Sequence, residues 1–285
     1  MANIIAHMGA VLVSCAHILN TYTTYLYYSM IHILYKEIGE TPLECLERYS
    51  APLGSAFGKR STYAGRLDPI AEGLLPILTD SDIERKPEFL VFDKTYECTS
   101  IFGFSSDTLD ILGIVSNRKA AAKPKAVREG ISNLVGTYDL PYPHYSSKTV
   151  GGKPIFKHAR EGTQNLDIPL RKMSVKEVEV KYIYEMNAKV ALGEIELVVG
   201  RVRGDFRQEE IIKSWREKLE SQSSVLVAEF SLRVTSGTYI RSLVDKIGED
   251  LRTGALVFRL KRTQVGPYGR ETLPRTGIQY GVYGM

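Results

Sequence analysis

The sequence predicts an α+β domain, in which strand-like and helix-like segments follow one another along the chain. Runs rich in Tyr, Thr, Phe and Val predict the strands, because such residues suit a half-buried sheet. Apolar residues spaced three and four apart predict the helices. The chain has 285 residues, of which 44% are hydrophobic and 25% are charged. This length and balance fit one or two globular domains with a large core.

Five segments carry the strand predictions, namely residues 31–35, 94–104, 175–183, 194–199 and 225–234. Four segments carry the main helix predictions, namely residues 42–49, 117–135, 209–219 and 238–251. Thr41 is expected to cap the first of these helices, because its hydroxyl can accept from a free N–H of the first turn. In the last of them, apolar residues such as Ile240 and Leu243 form the buried face, so Arg241 can point into a cleft.

The net charge is +4, from 37 Lys and Arg against 33 Asp and Glu. This mild excess permits a polyanionic partner without requiring one. Cys15, Cys45 and Cys98 show neither metal-ligand spacing nor disulfide density, which favours a reducing compartment such as the cytoplasm. No histidine pair has the spacing of a zinc helix, and the chain has no Walker loop and no nucleotide-binding glycine fingerprint. Composition alone therefore predicts no metal and no nucleotide cofactor.

Residues 1–29 differ from the rest of the chain, since they are apolar and end in a cluster of tyrosines. No Lys or Arg precedes Lys36, which argues against a secretory signal. His7, Ser14 and His17 interrupt the apolar run and make it a poor membrane span. We expect an extension outside the main fold, with a membrane anchor as the less favoured alternative.

The segment 61–76 reads S-T-Y-A-G-R-L-D-P-I-A-E-G-L-L-P. Asp68 followed by Pro69 predicts the start of a short helix, since Asp is a favoured cap and Pro suits the first helical position. Ile70, Leu74 and Leu75 are among the residues expected on its apolar face. Local chemistry leaves two interpretations of Asp68: a helix cap only, or a carboxylate that the corner between loop and helix presents to a substrate.

Five segments in the same order resemble the TruB type of pseudouridine synthase. They are G-R-L-D-P-I-A-E-G at 65–73, K-T-Y at 94–96 with S-D-T-L-D-I-L-G at 106–113, Y-S-S-K-T-V-G-G-K-P-I-F-K-H-A-R-E-G at 145–162, S-G-T-Y-I-R at 236–241, and L-K-R-T at 260–263 with V-G-P-Y at 265–268. One such motif would be weak support. Five in order, within a likeness that runs from about Ile31 to Tyr268, are specific.

The resemblance implies the pseudouridine synthase fold, a long mixed and mainly antiparallel sheet flanked by helices, with a thumb-like RNA-binding insertion. The expected organisation is an extension at 1–29, a catalytic domain at 30–270 and a short tail at 271–285, without the C-terminal RNA-binding domain that bacterial relatives usually carry. The thumb falls at 141–162, where basic residues alternate with aromatic ones. Such a composition neutralises a nucleic-acid backbone and stacks on bases, although a plain loop is the alternative.

The resemblance further implies isomerisation of uridine to pseudouridine in RNA, foremost uridine-55 in the T-loop of tRNA, without a cofactor. The target base must first leave its stack. By resemblance, Asp68 is the central catalytic group, Arg241 is its cationic partner, and Tyr96 stacks on the target base and can remove its C5 proton. The expected substrate-binding residues are Tyr63, Tyr239, Leu260, Lys148 and Lys153. The expected partner is RNA, with no membrane and no obligate protein partner.

Two departures from the family pattern affect substrate choice. Tyr63 stands where the family usually has a histidine, and Arg66 stands where it usually has Thr or Ala. One rival interpretation is therefore a synthase that acts on another RNA. The other is an RNA-binding or tRNA-folding factor with incidental chemistry. The joint presence of Asp68, Tyr96 and Arg241 argues against that second rival, because binding alone does not need them.

Overall fold

The computed structural model describes residues 31–54, 59–116, 121–163, 166–269 and 279–281. The expected extension at 1–29 lies outside these residues. The strands are β1 (Ile31–Lys36), β2 (Ser61–Tyr63), β3 (Ala71–Thr79), β4 (Lys94–Phe102), β5 (Gly136–Pro141), β6 (Thr149–Val150), β7 (Lys153–Pro154), β8 (Leu170–Asn187), β9 (Ser224–Val234), β10 (Ala255–Val265), β11 (Tyr268–Gly269) and β12 (Gln279–Gly281). The helices are α1 (Pro42–Ser50), α2 (Lys86–Leu90), α3 (Pro124–Ser132), α4 (Ile155–Arg160), α5 (Ala188–Arg201), α6 (Gln208–Leu219) and α7 (Ile240–Asp250), with a 3₁₀ helix at Asp80–Arg85.

Within the described residues, ten strands form one sheet in the order β12-β1-β3-β10-β4-β9-β8-β5, with β11 beside β10 and β2 beside β3. The pairing of β3 with β10 is parallel, and the other pairs are antiparallel. The predicted α+β class and its mixed, mainly antiparallel sheet are confirmed. Part of the predicted tail, β12, adds a strand beside β1 at the edge of this sheet.

The start of α1 follows the prediction. The Thr41 hydroxyl accepts from the backbone N–H of Glu44, and the Glu44 carboxylate accepts from the backbone N–H of Thr41 at 2.7 Å. This reciprocal pair satisfies two donors that a helix start leaves free. The helix is thereby fixed beside the turn that leads from β1.

The helix predicted after Asp68 is wrong, because the chain forms β3 there instead. Residues 73–78 are all buried. A surface helix would leave one side of such a run in water, whereas a strand between β1 and β10 buries both of its faces. Gly73 has a φ of 116°, and a Cβ there would lie 2.2 Å from the carbonyl oxygen of Arg262. Glycine therefore permits the close approach of β3 and β10.

The strand predicted at 194–199 is also wrong, because these residues lie within α5. Ala191, Ile195 and Val199 recur at four-residue spacing and are buried. The Asn187 side chain accepts from the backbone N–H of Lys189 at 2.9 Å and so begins the helix. Of the helix predicted at 117–135, residues 117–120 lie outside the described residues, and within the rest α3 covers only Pro124–Ser132.

α6 anchors the segment that follows β4. Trp215 on α6 is fully buried and packs against Phe104, with 5.5 Å between ring centroids. Its indole N–H donates to the carbonyl of Ile111 at 3.1 Å. The Trp215 side chain thus fixes the position of the turn at 107–113 relative to α6. None of the helices in the described part of the chain has the length and apolar character needed to cross a membrane.

Candidate active site

A buried arginine holds a partly exposed carboxylate at the base of a cleft. Nε of Arg241, in the first turn of α7, donates to Oδ2 of Asp68 at 2.8 Å. The Arg241 side chain is 3% exposed, against 35% for that of Asp68. Asp68 lies in the loop between β2 and β3. A charge-assisted bond of this kind fixes the direction in which the carboxylate faces the cleft.

The remaining donors of Arg241 connect two further segments to the site. Nη1 donates to the carbonyl of Thr108 at 2.6 Å, and Nη2 donates to the carbonyl of Tyr145 at 3.2 Å. Nε also lies 3.7 Å from Oδ2 of Asp110. Burial alone would lower the pKa of Arg241, but the carboxylates of Asp68 and Asp110 outweigh it and raise that pKa. The arginine is therefore charged and held by three separate parts of the chain, namely the loop with Asp68, the turn with Thr108 and Asp110, and the segment with Tyr145.

Asp110 is a second carboxylate of this site that the sequence reasoning missed. Its Oδ1 accepts from the Thr108 hydroxyl at 2.6 Å and from the Leu112 N–H at 2.9 Å. Burial raises its pKa to about 6, while Arg241 and the Thr108 hydroxyl oppose this rise. Leu109 has a φ of 63°, a strained value for a leucine that places Thr108 and Asp110 toward Arg241. The only indication in the sequence was the pair of aspartates in S-D-T-L-D at 106–110, and aspartates are equally typical of an ordinary turn.

Two buried cations hold the loop that carries Asp68. Arg262 on β10 donates to the carbonyls of Leu74, Arg66 and Gly65 at 2.7, 3.3 and 3.2 Å. Lys36 donates through Nζ to the carbonyl of Ala71 at 2.5 Å and to that of Glu37 at 2.9 Å. Burial lowers the pKa of Lys36 to about 8. The backbone is thus bonded both before Asp68, by Arg262, and after it, by Lys36.

The cleft above Asp68 has a volume of about 430 Å³ and an arginine-rich lining. It contains Arg66, Arg160 and Arg207 besides Arg241. Arg207 pairs with Asp107 at 2.7 Å, and its guanidinium lies 4.9 Å from the ring centroid of Tyr145. Cations interleaved with aromatic rings suit a polyanion that carries bases. Within the described ranges, no three His, Cys, Asp or Glu side chains are grouped as metal ligands would be.

The predicted site residues are distributed between this cleft and its surroundings. Tyr63, Asp68 and Arg241 line the cleft. Tyr239 is half-buried next to them, and burial together with the negative charge of Asp68 raises its pKa to about 12. Tyr96 and Leu260 are 7% and 6% exposed and belong to the same core cluster as Leu67 and Ile70, which flank the Asp68–Pro69 pair. Neither is among the described residues that line the cleft.

The predicted thumb consists of the β6–β7 hairpin followed by α4. Lys148 is exposed, and its Nζ lies 5.7 Å from the ring centroid of Tyr142. Tyr142 in turn makes an edge contact with Tyr239 at 5.5 Å between centroids. Lys153 instead forms an ion pair with Glu161. The two predicted thumb lysines therefore differ, since one is connected to the site through aromatic rings and the other is already paired.

The sequence that forms this site matches a known protein family. The family model described as TruB family pseudouridylate synthase (N terminal domain) matches residues 56–200, half of the chain. The chain belongs to the TruB family. The matched range contains Asp68 and Asp110, whereas Arg241 lies beyond it. The resemblance inferred from the five motifs is confirmed.

Similar proteins include curated relatives and solved structures. The chain is 29% identical to "tRNA pseudouridine synthase B" of Ralstonia nicotianae over 82% of its length and 62% of that protein. It is 27% identical to the protein of the same name from Bordetella pertussis, over 84% of the chain and 82% of that protein. A Cbf5-Nop10-Gar1 complex aligns with a TM-score of 0.54 and 19% identity, over 88% of this chain and 53% of the solved one. An H/ACA RNP bound to a substrate RNA containing 2′-deoxyuridine aligns with a TM-score of 0.52 and 18% identity. These two structures show the shared fold.

Proposed function

We propose that this chain isomerises uridine to pseudouridine in RNA. The observation that carries the proposal is the Asp68 carboxylate, which is partly exposed to the cleft and bonded to the buried Arg241 in a member of the TruB family. The chain spans 62% of the Ralstonia nicotianae relative. Its activity is therefore proposed from its own site together with the family, and is not transferred from the longer protein.

The reaction breaks the bond between N1 of the base and C1′ of the sugar and joins C1′ to C5 of the same base. C5 loses a proton and N1 gains one, so that the net change is an isomerisation. The cleft needs a carboxylate at the sugar and base, and Asp68 is proposed for that role. Arg241 balances its negative charge in a pocket from which the substrate displaces water. Tyr239, which is half-buried beside Asp68, is proposed to contact the flipped base. The family resemblance proposes the same role for Tyr96, which is 7% exposed.

The proposed substrate is tRNA, and the proposed target is uridine-55 of the T-loop. The tRNA assignment rests on the names of the curated relatives. The cleft arginines support an RNA substrate in general, because Arg66 and Arg160 line the cleft without a carboxylate partner among the described residues and can neutralise phosphates. The T-loop position rests on the motif resemblance.

We also propose a cytoplasmic location. The two cysteines in the described residues, Cys45 and Cys98, are free and buried, which is compatible with it.

Mapping of the product tests this proposal directly. An unmodified tRNA transcript and a matched transcript with cytidine at position 55 are incubated with the full chain, and pseudouridine is located by mass spectrometry. We expect conversion in the first transcript and none in the second. Conversion at another uridine would assign the enzyme a different target. Tight binding with no conversion in any RNA would favour a binding or folding factor.

A further inference from the structure

A second pocket of about 300 Å³ lies beside the cleft, with Leu43, Tyr63 and Arg66 shared between the two. Lys86 and the hydroxyl-bearing Thr62 belong to its lining. No carboxylate is found among the described residues that line it. Two cations, an aromatic ring and a hydroxyl group therefore meet directly next to the proposed target site.

The two cations of this pocket lie around the ring of Tyr63. The Arg66 guanidinium and the Lys86 ammonium each lie 5.7 Å from the ring centroid of Tyr63, and Lys86 also donates to the Thr62 hydroxyl at 2.9 Å. In the described part of the chain, neither forms an ion pair with a carboxylate. Arg85, the residue before Lys86, pairs instead with Asp82 and Glu88. Two uncompensated cations around one ring attract an anion.

The rim of the pocket is apolar and exposed. Leu43 is 53% exposed and Leu90 is 39% exposed, so both present large aliphatic surfaces to solvent. Apolar surface next to unpaired cations is the combination that a nucleotide requires, because its base or sugar covers the former and its phosphate pairs with the latter. A simple inorganic anion would leave the leucines uncovered.

We propose that this pocket binds a neighbouring nucleotide of the same RNA whose target uridine enters the cleft. A backbone phosphate lies between Arg66 and Lys86, and its nucleoside packs against Leu43 and Leu90. The proposal rests on the proposed function, because the cleft must hold RNA for an adjoining nucleotide to reach this pocket. Tyr63 and Arg66 would then contribute to recognition from the wall that separates the two sites.

The first test compares Arg66→Gln and Lys86→Gln with the wild-type chain and with Arg85→Gln as the matched control. Fluorescence anisotropy with an unmodified tRNA transcript gives the dissociation constant at several salt concentrations. Each pocket variant should weaken binding about fivefold to tenfold and reduce the slope of log affinity against log salt by about 1. Arg85→Gln should change binding less than about twofold, since its charge is already paired. Thermal unfolding checks that all variants fold.

A second test locates the phosphate. A synthetic T-arm stem-loop is prepared as a series in which one phosphate at a time is a neutral methylphosphonate. At one position next to the target, the replacement should weaken binding by the wild type but not by Lys86→Gln. If no position behaves in this way, the proposal is overturned.

Failure of this inference is distinct from failure of the proposed function. Binding is measured without turnover, so an inactive chain still reports on the pocket. Unchanged affinity and salt slope in both pocket variants would overturn the inference even if pseudouridine forms normally. A loss of kcat with unchanged KM would also overturn it, because these residues would then act on the chemistry. The expected result for Lys86→Gln, whose position is not among the described residues that line the cleft, is a raised KM with kcat within about twofold of the wild type.

Discussion

Arg241 shows how one buried side chain assembles a site from distant residues. Its guanidinium contacts Asp68, Thr108 and Tyr145, and it also faces Asp110. Motif reasoning from the sequence placed Asp68 and Arg241 together. It did not place Asp110 there, because the approach of Asp110 to Arg241 depends on the turn after β4 lying against α7. A strained Leu109 and a buried Trp215 produce this arrangement, and neither leaves a local pattern in the sequence.

Asp110→Asn tests the second carboxylate. Asparagine can still accept from the Thr108 hydroxyl and the Leu112 N–H, so only the negative charge facing Arg241 is removed. We expect kcat to fall about a hundredfold, because a small displacement of Arg241 moves Asp68. The wild-type rate should rise as the pH increases through about 6, where Asp110 loses its proton. In a measured profile of rate against pH, the variant should not show this rise near pH 6.

The stability of the same variant provides the control. The pKa of Asp110 is raised from 3.8 in the unfolded reference to about 6 in the folded chain. Its contribution to folding is therefore fully present below about pH 3.8 and is lost as the pH rises through about 6. At neutral pH burial penalises the ionised Asp110, so Asp110→Asn should not lower the free energy of unfolding by more than about 1 kcal/mol. A large loss of stability, or full activity, would contradict this account of Asp110.

At the scale of elements, two mistaken assignments have a common cause. The apolar residues of β3 and of α5 can be arranged on either a helical or an extended period, and short apolar runs do not distinguish the two. Tertiary contacts decide between them, because β3 is buried on both faces and α5 on only one. By contrast, α1 and β9 were predictable, since the first has a complete capping box and the second alternates polar with apolar residues.

Two glycines offer a matched test of these assignments. Gly73→Ala places a Cβ 2.2 Å from the Arg262 carbonyl oxygen at a positive φ, whereas Gly193→Ala on α5 meets no atom within 4 Å. We expect Gly73→Ala to lower the free energy of unfolding by about 2 kcal/mol or more. Gly193→Ala should raise it by about 0.5–1 kcal/mol, because alanine is the better helix former. Urea unfolding of both variants measures the difference, and equal effects would contradict the assigned backbone.

At the scale of the whole molecule, the strand order places the site. β3 and β10 are distant in sequence but adjacent and parallel in the sheet, so Arg262 on β10 reaches the loop that precedes β3. No periodicity in the sequence predicts such a pairing, and only the resemblance to a known family implied the fold. The net charge of +4 likewise gave little indication of four arginines in one cleft. Composition averages over the surface, whereas binding depends on where the charges lie.

The central claim is that Asp68, held by Arg241, performs the chemistry. It is tested most directly by single-turnover release of tritium from a tRNA transcript labelled at C5 of uridine, with the wild type beside Asp68→Asn. We predict release by the wild type and a rate at least about a thousandfold lower in the variant, with the dissociation constant for RNA within about twofold. Release by Asp68→Asn at the wild-type rate would contradict the claim and remove Asp68 from the mechanism.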